Sequence, residues 1–302
     1  MSNFAPIFVV GHARSGTTLM AHLLSRNPEI ASTPETNFVN RLRFAFEPFY
    51  RHGIDATVDE AFRDARIQEM KIDREMVKQR LRDGGELNSR TLLEALLETY
   101  REQQGKPHVA EKSPGHLLYI PIIASWYPKA RFVWIVRDGR ACIASLRKVN
   151  FSTHALGPLS RRWSRNIAYL LRAQSQMVDR MYALRFEDLV EDTETTLRGL
   201  HDWLGIPFSP LQLQQDGTTT VVPESEKSWK GNVGQPIMAN RSTAWSDAFT
   251  RGERDLLDRR CGVFLERLGY EVPPPGWFSR LAALPPCCSM GAPASPSCDG
   301  WR

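Results

Sequence analysis

The chain has 302 residues, 42% of them apolar and 24% charged, and carries 39 basic against 34 acidic side chains for a net charge of +5. That is the composition of an ordinary soluble globular protein, long enough for one large α/β domain or two small ones. So mild a positive excess suits an anionic substrate or cofactor but gives no reason to expect a nucleic-acid partner.

Ile7–Val10 is a short, all-apolar, β-branched run, which predicts a strand buried on both faces. A glycine loop follows, then a helix from about Ser15 to Arg26 that ends before Pro28. Residues 37–104 read as mostly helical. Within them "SRTLLEALLETYREQQG" shows apolar positions at helical spacing, with Ser89 as its N-cap and Gly105 as its stop. "HVAEKSP" reads as a short strand leading into a loop. "ARFVWIVRDGR" holds the clearest strand, Phe132–Val136, and the helix after it begins near Asp138 as N-cap. A long helix around Leu159–Met177, the strand "MYALRF" and a helix capped at Asp192 and stopped at Gly205 complete the pattern.

Strands alternating with helices predict a three-layer α/β/α domain of P-loop nucleotide-binding type around a mostly parallel sheet, spanning residues 1–271. From Val272 the chain turns rich in proline, glycine, serine and cysteine, which predicts a disordered tail over 272–302. The five cysteines show neither a disulfide framework nor metal-type spacing. No run reaches the roughly 20 apolar residues of a membrane span, and the start lacks the basic region of a signal peptide. The expectation is a cytoplasmic protein without a membrane span or metal. A homodimer is allowed by the sequence rather than indicated by it.

In parallel sheets ligands gather at the carboxyl ends of the strands, which puts Arg14, Glu111, Lys112 and Arg137 at one edge. Gly11 and Gly16 have the spacing of a P-loop, yet Thr17 stands where the phosphate-gripping lysine belongs. A glycine turn and a helix N-terminus bind an anion without that lysine. Ser15, Thr17 and Thr18 add hydroxyls, Gly16 lets the backbone approach, and Arg14 adds a permanent charge with a planar fork. The second constellation, "VWIVRDGRACIASLRK", delivers Arg137 at a strand end and Ser145, Arg147 and Lys148 soon after. Its plain rival is a helix capped by Asp138, with Arg140 or Arg147 merely solvated.

The pair G-x-x-R-S-G-T-T and V-R-D-G-R-x-x-x-x-S resembles the P-loop sulfotransferases that use 3′-phosphoadenosine 5′-phosphosulfate (PAPS). The resemblance implies that the first loop binds the 5′-phosphosulfate and that Arg137 and Ser145 bind the 3′-phosphate. "STPETNFV", "AEKSP", "RWSRNIAYL", "LRFEDLVEDTETTLRGLHDWLGIPF" and "LERLGY" extend it, in order, toward the tyrosylprotein branch and its bacterial relatives. It implies Glu35 as catalytic base, with Lys112 and Arg14 stabilising the transferring sulfonate. The partner is then a hydroxyl-bearing acceptor, whether a tyrosine phenol, a sugar, a lipid or a small metabolite. "KGNVGQPIMANRSTAW" resembles a loop folding over the cofactor, with Lys230, Arg241 and Ser242 as candidates.

Plainer readings stand beside these roles. Glu35 could cap the helix near Asn37, and Lys112 could pair with Glu111 at the surface. Trp163 could be core or an adenine platform, and His116 is the reserve base. A P-loop kinase using Mg-ATP, with Asp138 on the metal, is the alternative function.

Overall fold

A computed structural model describes residues 4–149, 152–214, 216–217, 221–222, 233–237 and 245–273. In chain order the main elements are β1 (Ile7–Gly11), α1 (Thr17–Ser25), β2 (Ile30–Ser32), α2 (Ser89–Gln103), β3 (His108–Lys112) and β4 (Arg131–Val136). They continue with α3 (Gly139–Leu146), α4 (Leu156–Gln176), β5 (Met181–Arg185), α5 (Thr193–Leu204) and α6 (Arg251–Arg267). The five strands form one sheet in the order β2-β3-β1-β4-β5, and every pairing is parallel.

Alternation along the strands divides the core. Ile7 and Val9 of β1 and Val133 and Ile135 of β4 pack with Met20, Leu23 and Leu24 of α1 and Leu197, Leu200 and Leu204 of α5. Phe8, Val10, Phe132 and Trp134 turn the other way, onto Leu92 and Leu96 of α2, Trp163 and Ile167 of α4 and Leu257 of α6. Both faces are thus covered by helices, and the expected α/β/α sandwich is the fold observed. Trp163 is fully buried in that second layer, so its core reading holds.

Several boundaries differ from expectation for local reasons. The cap of α2 is Asn88 rather than Ser89: its carboxamide oxygen accepts from the Arg90 and Thr91 amides, and the Thr91 hydroxyl accepts from the Asn88 amide. Helix α4 begins at Leu156, with Pro158 in the first turn, where a missing N–H leaves no bond unmade. The three residues of β2 are too few to show an alternation. Residues 38–83 are helical as expected but broken into short pieces, two of them restarted by the side chains of Asp64 and Asp73 capping Arg66 N and Met76 N.

Register fixes the working edge. Val9 pairs with Lys112, Gly11 with Ile135 and Val136 with Arg185. The segments after β1, β3, β4 and β5 therefore emerge side by side.

The junction of β4 and α3 is close-packed. A Cβ on Gly139 would lie 2.5 Å from Cε2 of the buried Trp163 ring. Gly139→Ala is expected to lower unfolding stability by about 1–3 kcal/mol, read from urea denaturation midpoints.

Candidate functional site

The loop after β1 closes on itself through Ser15 N donating to His12 O at 3.1 Å. Arg14 (φ 70°) and Gly16 (φ 101°) both take the left-handed conformation, which is uncommon for arginine and points to a site that constrains it. Gly16 has no freedom to change, since a Cβ there would stand 2.3 Å from the Phe186 ring. Helix α1 starts on this glycine without any side-chain cap, whereas α2, α3, α5 and α6 are capped by Asn88, Asp138, Asp192 and Thr250. Its first amides face the loop with the positive end of the helix dipole behind them. Thr17 and Ser15 are buried and Thr18 is half-buried; the Ser15 hydroxyl has no hydrogen-bond partner among the described residues.

His12 lies under the loop. Asn166 Nδ2, which can only donate, sits 3.0 Å from its Nδ1, so the ring proton belongs on Nε2. Burial, helped by the charge of Arg162, lowers this imidazole to about 3 and keeps it neutral.

The two motifs meet across the edge. Arg14 Nε donates to Ser145 Oγ at 2.9 Å, and Arg137 Nη1 donates to Arg14 O at 2.9 Å. The Arg137 guanidinium lies 4.3 Å from the Phe186 ring centroid, a cation–π contact that holds it flat. Phe186, the first residue after β5, thus supports both Arg137 and the Gly16 turn.

Arg140 is not a solvated arginine. It is buried, with Nε 3.1 Å from Asp138 Oδ1, Nη2 2.8 Å from Asp138 Oδ2 and Nη1 3.0 Å from Asp258 Oδ1. Asp138 also caps α3 through Arg140 N at 2.8 Å. Both of its oxygens are committed, so the metal-binding role required by the kinase alternative finds no support.

Lys112 is the other correction. Its side chain is fully buried instead of lying at the surface, and Nζ pairs with Glu35 Oε2 at 2.7 Å rather than with Glu111. Glu35 remains partly exposed, and its Oε1 accepts from Asn37 Nδ2 at 3.1 Å. No side-chain cap on the turn Phe38–Leu42 is made by Glu35.

Glu111 is turned inward instead. Thr36 Oγ1 and Ser113 Oγ donate to its Oε1 at 2.7 and 2.6 Å, and His116 Nδ1 lies 2.9 Å from Oε2. Burial resists the charge, but the His116 ring and the two hydroxyls outweigh it and hold this carboxyl below its ordinary range. His116, fully buried and with Nε2 accepting from Val39 N at 3.0 Å, is a structural ring in the described chain and not an available base.

Arg14, Ser145 and Arg137 are thereby joined, and Glu35 is joined to Lys112 one strand away. Lys230, Arg241 and Ser242 lie outside the described residues, as does the chain beyond residue 273. The sequence placed Glu111 at this edge without a role of its own, and passed over Phe186, a lone aromatic after a strand.

A family model described as "Sulfotransferase family" matches residues 6–210. The zebrafish (Danio rerio) protein-tyrosine sulfotransferase 1 is 26% identical over 217 residues, covering 70% of this chain and 56% of that protein. The chain therefore spans little more than half of that relative. A putative protein-tyrosine sulfotransferase of Caenorhabditis briggsae is 25% identical over 283 residues, covering 90% and 91%. Among solved structures, the sulfotransferase domain of the curacin biosynthetic pathway superposes with a TM-score of 0.64 at 19% identity, covering 90% of this chain and all of that one.

The Glu111 cluster has a pH signature. Because its folded pKa is depressed, its stabilisation is complete above the unfolded carboxyl's pKa and is lost as pH falls through the lower folded value. Denaturant unfolding from neutral pH to below about pH 4 should show this loss. Glu111→Gln should be less stable at neutral pH by about 2 kcal/mol and flatter with acid.

Proposed function

The chain belongs to the sulfotransferase family, and on that premise we propose that it moves a sulfuryl group from PAPS to the hydroxyl of an acceptor. The observation that carries this reading is the contact between Arg14, inside a lysine-less P-loop, and Ser145 of the second motif. It brings two anion-binding elements side by side, as a nucleotide phosphorylated at both 5′ and 3′ positions requires.

The residues fit such a donor. The uncapped amides of α1 and the left-handed Arg14–Gly16 turn make a cradle for the 5′-phosphosulfate. Thr17 and Thr18 open the helix there, Gly16 contributes its main-chain N–H, and Ser15 its hydroxyl. Arg137 and Ser145 take the 3′-phosphate, and Arg241 is a further candidate for the same nucleotide. The donor, when bound, supplies an activated sulfuryl group on a phosphate leaving group.

The chain's own side chains supply the rest. Glu35 accepts the proton of the attacking hydroxyl. Lys112 and Arg14 offset the negative charge that develops as the group moves in line. Positioning and charge do most of the work in such transfers, and none of these roles asks a metal to hold the nucleotide.

For the acceptor we favour a phenol, such as a tyrosine side chain. The names of the zebrafish and Caenorhabditis relatives support this, and so does the local surface. The segments that follow Glu35 and Lys112, Phe38–Leu42 and Pro114–Tyr119, pack together and expose Phe44 and Leu118 beside them.

The first test is calorimetry of 3′-phosphoadenosine 5′-phosphate with EDTA present, against Mg-ATP. Tight metal-independent binding of the bisphosphate is expected, and a preference for Mg-ATP would overturn the reading. Arg137→Ala should weaken bisphosphate binding by about 10- to 100-fold while changing adenosine 5′-phosphosulfate binding little. Equal losses would remove Arg137 from the 3′-phosphate. Glu35→Gln should lower turnover by roughly 100-fold or more with bisphosphate affinity retained.

A further inference from the structure

We propose that Glu111 is a positioning residue for the transfer: from inside the sheet edge it sets where the Glu35 carboxylate stands, without itself touching substrate. This rests on the reading of Glu35 as the proton acceptor.

An ionised carboxylate can only accept, so each of its neighbours must donate to it. The Thr36 and Ser113 hydroxyls each have one proton and give it to Glu111 Oε1, at 2.7 and 2.6 Å. Their oxygens are then left as acceptors, and each takes a backbone amide. Thr36 Oγ1 accepts from Phe38 N at 3.2 Å, and Ser113 Oγ accepts from Asn37 N at 2.8 Å. His116 stands beside them, with Nδ1 2.9 Å from Glu111 Oε2 and Nε2 accepting from Val39 N at 3.0 Å. Three successive amides after Thr36 are thus each one group removed from a single buried carboxylate, and its charge dictates the polarity of the two hydroxyl relays.

The consequence reaches Glu35 by two routes. Adjacent residues of one segment are held by adjacent residues of β3, Thr36 by Glu111 and Glu35 by Lys112. Asn37 is held in the left-handed region (φ 51°), which lets its side chain turn back and donate to Glu35 Oε1 at 3.1 Å. An asparagine tolerates that conformation, but the surroundings have to enforce it. The hydrogen bond from Asn37 N to Ser113, and so to Glu111, is what enforces it. The two hydroxyls and the imidazole around Glu111 all lead into residues 36–39, the stretch that follows the proposed base.

The prediction separates positioning from general support of the fold. Turnover of PAPS with 4-nitrophenol in excess is followed by release of the bisphosphate, alongside calorimetry of bisphosphate binding. Thr36→Val, which keeps shape and removes the hydroxyl, should lower kcat by about tenfold or more, since misplacement by about 1 Å can cost up to ~100-fold. Glu111→Gln should do the same if it folds, and Thr36→Ser should restore turnover. Bisphosphate affinity should stay within about twofold throughout. In a Glu35→Gln background, Thr36→Val should change kcat by less than about twofold, because the group being positioned is already gone.

A further tenfold loss in that background would show a general structural role and overturn the proposal. Normal kcat for Thr36→Val, with Glu35→Gln slow, would overturn the proposal alone. No turnover by the unaltered protein, or equal turnover by Glu35→Gln, would remove the reading beneath it and the proposal with it.

Discussion

A carboxylate with no exposed surface must be satisfied from every side, and satisfying Glu111 organises the edge that carries Glu35 and Lys112. A buried ion of this kind is a weak source of net stability, because its desolvation consumes much of what its partners return. Removing one partner is another matter, since it strands the rest in a low-dielectric interior. The cluster of Glu111, Thr36, Ser113 and His116 is therefore nearly all-or-none. Specificity of geometry is what such an arrangement supplies, and the geometry it specifies is the turn on which Glu35 sits.

The loop after β1 is built on different physics. Its strained element is the Arg14–Gly16 turn, whose left-handed residues are held by contacts from neighbouring strands. Arg14 O takes Arg137 Nη1 at 2.9 Å and, from below, the Cys142 thiol at 3.8 Å, a thiol that burial pushes up to about 12 and so keeps protonated. Phe186 closes the space beside Gly16. Behind this, Arg140 ties the start of α3 to Asp258 of α6 and to Glu271 O, while Tyr270 OH donates to Glu187 Oε2 at 2.8 Å and Glu187 Oε1 accepts from Asp138 N. The strand end that presents Arg137 is thus clamped to the last described helix. Residues far apart in sequence share one edge because a parallel sheet delivers all its carboxyl ends together.

What the sequence disclosed follows from which interactions are local. The buried strands β1 and β4, the lysine-less loop and the Asp192 and Asp138 caps are set by neighbours along the chain, and all were legible. Arg14, Ser145, Glu35 and Lys112 were legible as residue types in motifs, but not as pairs. That Lys112 would take Glu35 and leave Glu111 to His116 depends on the pleat: neighbouring residues of β3 point to opposite sides. A one-dimensional reading joins the adjacent Glu111 and Lys112, whereas the fold separates them. Arg140 was misread for a related reason, since its second carboxylate, Asp258, is 118 positions away. The breaks within residues 38–83 escaped because short helical pieces carry too few periods to be told apart.

The missing P-loop lysine has a physical counterpart in this edge. Thr17 is buried at the first turn of α1, so a lysine there would have to desolvate its stem and find an anion at all times. Here the buried ammonium comes from the adjacent strand as Lys112, and Glu35 balances it before any ligand arrives. In the proposed reaction Glu35 loses its negative charge as it takes a proton, at the moment when negative charge grows on the leaving oxygen. On that reading the buried Lys112, already paired with Glu35, supplies a counter-charge throughout. The arrangement needs the base and the lysine to keep their separation, which is why the rigidity of the segment behind Glu35 bears on this site.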